Sequence, residues 1–164
     1  MSKTEKIILL VLAAAVLACC ALVVFKPEAP AAPPVVGEFV PPEFDSAAVA
    51  GTPEVGLPQM YGTLALNEDI AVSLYSAPIV SDGRAQVFFT SAKDTTAWVR
   101  LRIMDETGAV LGETGLLKPG QHVEYISLAA TPKSARAIAK ILTYEPETYY
   151  SLGSATAEIM LQIK

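Results

Sequence analysis

The chain has 164 residues, a formal net charge of −5, two cysteines and one histidine. After Phe25 it carries 10 Lys/Arg against 16 Asp/Glu, with no basic cluster. That balance excludes nucleic acid as a partner, because phosphate binding needs a positive patch, and the length leaves room for one domain of ordinary size.

Residues 1–6, with Lys3 and Lys6, precede an uninterrupted apolar run from Ile7 to Phe25. As a helix this run would reach about 28 Å, close to the hydrocarbon thickness of a bilayer, about 30 Å. The basic residues before it favour a cytoplasmic N-terminus. The first reading is therefore an uncleaved transmembrane signal anchor over 7–25, which makes the membrane a partner and the rest of the chain extracytoplasmic. Two alternatives stand beside it. Ala29-Pro30-Ala31 offers small residues for signal-peptide cleavage, and Val16-Leu17-Ala18-Cys19 resembles a lipobox, which would make Cys19 a lipidation site. All three place the remainder outside. Cys19 and Cys20 are the only cysteines, so the exported part has no disulfide and must rely on its core.

Residues 26–60 hold eight of the twelve prolines. That density predicts an extended spacer, partly polyproline II, with a reach of roughly 100 Å. Phe39-Val40 and Phe44 are unusual in such a stretch and leave room for a docking segment.

From Tyr61 to Lys164 short runs alternate with period two between turn signals. The expected strands are 62–66, 70–75, 85–90, 97–104, 109–112, 122–128, 135–144 and 155–163. In 97–104, Val99, Leu101 and Ile103 share one face and Arg100 and Arg102 the other. Asp105-Glu106-Thr107-Gly108 predicts a hairpin with Gly at positive φ, and Lys118-Pro119-Gly120-Gln121 a type II turn. Residues 135–144 also have helix propensity, but their alternation and Pro146 favour a strand. The pattern predicts an all-β fold, an immunoglobulin-like antiparallel β-sandwich behind the transmembrane helix and Pro-rich linker.

One stretch carries a resemblance: Leu117-Lys118-Pro119-Gly120-Gln121-His122-Val123-Glu124-Tyr125-Ile126-Ser127-Leu128, placed after a membrane run, a spacer and an Asp-x-x-Gly hairpin. This order resembles the small, single-pass, Ig-like surface proteins of Gram-positive bacteria, over roughly Ala85 to Lys164. The resemblance implies a fold and a location, not an activity.

Catalytic chemistry finds little footing. His122 is the single histidine and no cysteine follows Cys20, which excludes Cys/His nucleophiles and ordinary zinc sites within one chain. Asn67-Glu68-Asp69 and Asp105-Glu106 are acidic, but no EF-hand spacing occurs, and no cofactor or metal is expected. The loop from Glu145 to Gly153, with Tyr149 and Tyr150, is the best exposed candidate for binding, with Trp98 joining it if their rings share a face. The expectation is a non-enzymatic structural or protein-interaction module facing another cell-envelope protein. The alternative is a carbohydrate- or peptidoglycan-binding accessory domain that stacks sugars on Trp98 and the tyrosines.

Overall fold

Residues whose side chains alternate between water and apolar surroundings leave the backbone one economical choice, the pleated strand. In the computed structural model, which describes residues 40–164, this choice is made throughout. The apolar run 7–25, Cys19 and the first part of the spacer lie outside the described residues. No α-helix occurs among the described residues, and none of their helices is long and apolar enough to cross a membrane.

The strands in chain order are β1 Val49–Ala50, β2 Tyr61–Ala65, β3 Ala71–Tyr75, β4 Ile79–Ser81, β5 Arg84–Ser91 and β6 Trp98–Met104. They continue as β7 Val110–Glu113, β8 Gln121–Ser127, β9 Arg136–Tyr144, β10 Ser151–Met160 and β11 Gln162–Ile163. One sheet runs β1-β8-β5-β3-β2, with β4 beside β5 and β11 beside β4. The other runs β10-β9-β6-β7. All pairings are antiparallel except β4 with β11.

The period-two reading of β6 and β9 holds residue by residue. Val99, Leu101 and Ile103 are fully buried while Trp98, Arg100, Arg102 and Met104 are half-buried. On β9, Ala137, Ala139 and Ile141 face inward, and helix propensity yields to packing between two neighbouring strands. The opposite layer contributes Val72, Leu74, Ala85, Val87, Phe89, Val123 and Ile126 to the same core. The Asp-x-x-Gly hairpin forms as expected, with Gly108 at φ 87°.

Three features depart from the strand pattern read from sequence. First, β5 bulges between Gln86 and Phe89, where Phe88 takes φ 45°. The extra residue buries Val87, Phe88 and Phe89 in succession, and Phe88 packs on Tyr75 at 4.8 Å between ring centroids. Second, the final strand breaks at Leu161. The Leu161 amide donates to Ala135 beside β9, whereas Gln162 donates to Pro78, so the chain crosses from one sheet to the other and ends as β11. Third, Ile79–Ser81 forms the short strand β4 directly after Pro78, too brief to register as a run.

The proline-rich stretch also differs from a free spacer in its second part. Residues 40–60 belong to the same compact unit as the sandwich, which spans Val40–Lys164. Phe44 bridges in parallel to Leu116, the Leu116 amide donates to the Glu43 carbonyl at 2.8 Å, and β1 pairs with β8. Further on, the Leu57 amide donates to the Tyr75 hydroxyl at 3.0 Å. Prolines forbid a continuous ladder, but isolated bridges between them suffice to strap the chain down.

Candidate functional site

Trp98 opens β6 on the outward face of the four-stranded sheet, opposite Tyr144 on β9. Its ring is held on two sides. Phe44 meets it at 4.8 Å and 75°, and Tyr149 at 5.1 Å and 65°, both edge to face, the geometry that the ring quadrupoles favour. Lys118 places its ammonium 4.7 Å from the Phe44 centroid, a cation–π cap on the cluster.

Each partner arrives through specific local chemistry. Phe44 is carried by the strap, which Asp45 fastens: one carboxylate oxygen accepts the Gly115 amide at 2.8 Å and the other accepts the Ala47 amide at 2.8 Å. The strap can lie this close only because residue 115 is glycine. A Cβ there would meet Asp45 Cα at 2.5 Å and the Phe44 carbonyl carbon at 2.8 Å. Tyr149 reaches Trp98 through a tight loop in which Glu147 and Tyr149 both take positive φ, 71° and 59°. That loop is pinned by the Tyr149 amide donating to the Glu145 carbonyl and by Thr148 Oγ1 donating to Glu145 Oε2 at 2.6 Å.

Of the three residues singled out from sequence, the structure brings Trp98 and Tyr149 together and leaves Tyr150 outside. Tyr150 is 72% exposed, and nearby Leu152 is 53% exposed. The cluster is thus a brace, with Tyr150 and Leu152 as the apolar groups it presents to water. Its rings meet at steep angles and form no flat strip of the kind that stacks sugars. Sequence reasoning missed Phe44 as a partner of Trp98, as well as Lys118 and Gly115. The one available signal was an aromatic residue among prolines, where a solvated linker has no use for it.

Beside the cluster, Glu113 on β7 receives Arg100 at 2.6 Å and Arg102 at 2.8 Å, and Arg100 Nε also donates to the Thr114 carbonyl at 2.8 Å. Arg100, Glu113, Thr114 and residues 43–46 line an open depression of about 390 Å³. Its Arg100 and Glu113 are already paired with each other, and Asp45 accepts the Gly115 and Ala47 amides. His122 is likewise occupied, its Nδ1 donating to the Gly51 carbonyl at 2.8 Å. Asn67 Oδ1 accepts the Asp69 amide at 2.9 Å, a local turn contact. Among the described residues no group of three or more His, Cys, Asp or Glu is placed to hold a metal ion.

On the other sheet, Arg84, His122, Glu124 and Tyr125 share a shallow surface. The Glu124 carboxylate, foremost, holds the Tyr125 hydroxyl above its usual pKa, with desolvation a lesser cause. Gln86 Nε2 donates to both at 3.0 and 3.1 Å. This is a cross-strand network on a wet face.

The chain matches no protein-family model and no curated protein.

Proposed function

We propose that this chain is a membrane-anchored, extracytoplasmic, immunoglobulin-like module that works by holding another envelope protein rather than by catalysis. The carrying observation is the braced loop between β9 and β10, where Trp98, Phe44 and Tyr149 fix a turn that presents Tyr150 and Leu152 to solvent. Rigid aromatic groups on a sandwich-end loop give contact area at little entropic cost.

The strand order supports the immunoglobulin-like reading. Taking β3, β5, β6, β7, β8, β9 and β10 in turn, the first, second and fifth share one sheet, while the third, fourth, sixth and seventh share the other. That partition is the one such sandwiches use when a strand is added beside the third. The anchor rests on the apolar run 7–25 and the lysines before it.

Two experiments test the proposal. Protease added to intact cells should remove the sandwich where the envelope admits it; full protection would refute the external location. A photo-crosslinker at position 150 should capture a discrete partner in cells while one at exposed Lys133 does not. Equal yields from both positions would remove the loop from consideration.

A further inference from the structure

Three apolar side chains, Tyr75, Phe88 and Leu116, are buried without belonging to the core between the sheets. Every other buried apolar side chain among the described residues joins that core. Val72 and Leu74 point into it, so the alternation of β3 turns Tyr75 to the outer face of its sheet. Phe88, at the β5 bulge, packs on the Tyr75 ring, and Leu116 is followed by Leu117, which takes the core side. The cover over these three is the strap. The Leu57 amide donates to the Tyr75 hydroxyl at 3.0 Å, Pro53 is buried, and Phe44 bridges to Leu116. Satellite clusters of this kind form under long surface segments.

The strap adds no residue to the core cluster and reaches it through Ala48. Separate pins hold it in place of a ladder. The Leu116 amide donates to Glu43 at 2.8 Å, and the Asp45 amide donates to Leu116 at 3.0 Å. β1 gives two residue pairs with β8, the Gly51 amide donates to Gly120 at 2.8 Å, and Leu57 closes the series. Pro41, Pro42, Pro53 and Pro58 keep these pins from merging into one strand. A segment with few core contacts and exposed hydrogen bonds opens at lower free energy than the strands beneath it.

We infer that residues 43–57 are a releasable strap, which detaches as one unit while both sheets stay folded. Opening bares Tyr75, Phe88 and Leu116 and removes the Phe44 wall from Trp98. Burial of the apolar trio draws the strap back, so closed and open are two states and the change between them is more than fraying from one end. At about 3.1 Å per residue, release adds about 45 Å of extended chain ahead of η1, the 3-10 turn Pro58–Met60 that leads into β2. As a change of tether length this rests on the membrane-anchored reading; the opening itself does not.

Hydrogen exchange, followed amide by amide in the full chain in detergent micelles, tests the opening; protease on intact cells tests the anchor separately. The Asp45, Gly51, Leu57 and Leu116 amides should share one level of protection, about tenfold or more below that of Val99 and Leu117. Leu116 and Leu117 give the sharpest contrast, because the first amide donates to the strap and the second to Val99 on β6. Asp45→Ala removes the acceptor of the Gly115 amide and should speed exchange at the distant Leu57 amide by about tenfold, leaving Leu117 unchanged. Tyr75→Phe loosens the other end and should speed exchange at the Asp45 amide by about threefold. Equal protection of Leu116 and Leu117 overturns the inference, since the strap is then an integral part of the sandwich. Acceleration confined to the pin that was altered also overturns it, since the strap then frays piecewise. Should Asp45→Ala fail to fold, Tyr75→Phe decides alone: an unchanged Asp45 amide ends the idea of one opening unit.

Discussion

The four-stranded sheet has two edges made from similar residues and finished in opposite ways. At β7 the edge is closed. Gly112 lets the other sheet come so near that a Cβ there would meet the Ser127 carbonyl at 2.5 Å and Ile126 Cγ2 at 2.9 Å, and Ala129 bonds to Leu111. At β10 no backbone hydrogen bond among the described residues engages the outward groups of Ser154, Thr156 and Glu158, and the edge is open there. Closure therefore comes from a missing side chain and openness from a regular one. Substitutions should be costly at the first edge and nearly silent for the isolated sandwich at the second.

The largest effect should come from Gly112→Val, which forces branched bulk against backbone where the sheets converge. A loss of about 2–3 kcal/mol in denaturant unfolding is expected. A loss below half of that would mean that the β7 edge is loosely closed and the contrast with β10 is false. Thr156→Lys, by comparison, should change the stability of the monomer by no more than about 0.5 kcal/mol.

Gly115→Ala comes next, at about 1–3 kcal/mol, because the new methyl group presses on the backbone of the strap at Phe44 and Asp45. Its signature is local. Trp98 is the only tryptophan, so its emission should shift to the red as Phe44 withdraws, while the far-ultraviolet signal of the sheets persists. Unchanged emission would mean that Phe44 does not shield Trp98, and the brace would lose one of its two walls.

These two glycines also mark where the sequence stops being readable. β6, β9 and the hairpin between β6 and β7 follow from local alternation and turn chemistry, which every residue in them states. The Trp98 cluster depends instead on residues 44, 98, 115 and 149 meeting at distances set by a glycine whose φ is ordinary and whose role is to be small. Nothing near Gly115 announces that a strap will lie on it. The proline count of 26–60 pointed to a solvated stalk for the same reason: prolines report what a segment cannot do locally and are silent about isolated bridges such as Phe44 with Leu116. β4 and the bulge at Phe88 escaped because both are corrections of the pleat by one residue or a few, below the length at which periodicity has meaning.

Glu113→Gln tests the wet side of the closed edge. Glu113 holds both Arg100 and Arg102, each partly exposed, so water and salt screen the pairs. The substitution should cost about 0.5–1 kcal/mol at low ionic strength and less as salt is added. A salt-independent cost would mean that the carboxylate's shape rather than its charge ties β7 to β6.

The smallest expected effect is at the hairpin that leads into β7. Asp105 Oδ1 accepts from the Thr107 hydroxyl at 2.6 Å and from the Thr107 and Ala109 amides at 2.9 Å each. The Thr107 hydroxyl foremost, then the Ala109 amide, hold this carboxyl below its ordinary pKa of 3.8. A depressed pKa in the fold means that the unfolded chain binds the proton more readily, so stability rises with pH through this window. The contribution is complete above the unfolded-chain value and drains away as the pH falls through the lower folded value. Asp105→Asn should therefore be slightly less stable than the parent at neutral pH, with the gap closing in acid as the parent's own carboxyl protonates. The group sits in a surface turn and is partly exposed, so the shift in midpoint is small; its disappearance in acid is the discriminating feature. A gap that persists with the carboxyl protonated would assign the hairpin's stability to the shape of the Asx turn, and the entry into the closed edge would then owe nothing to charge.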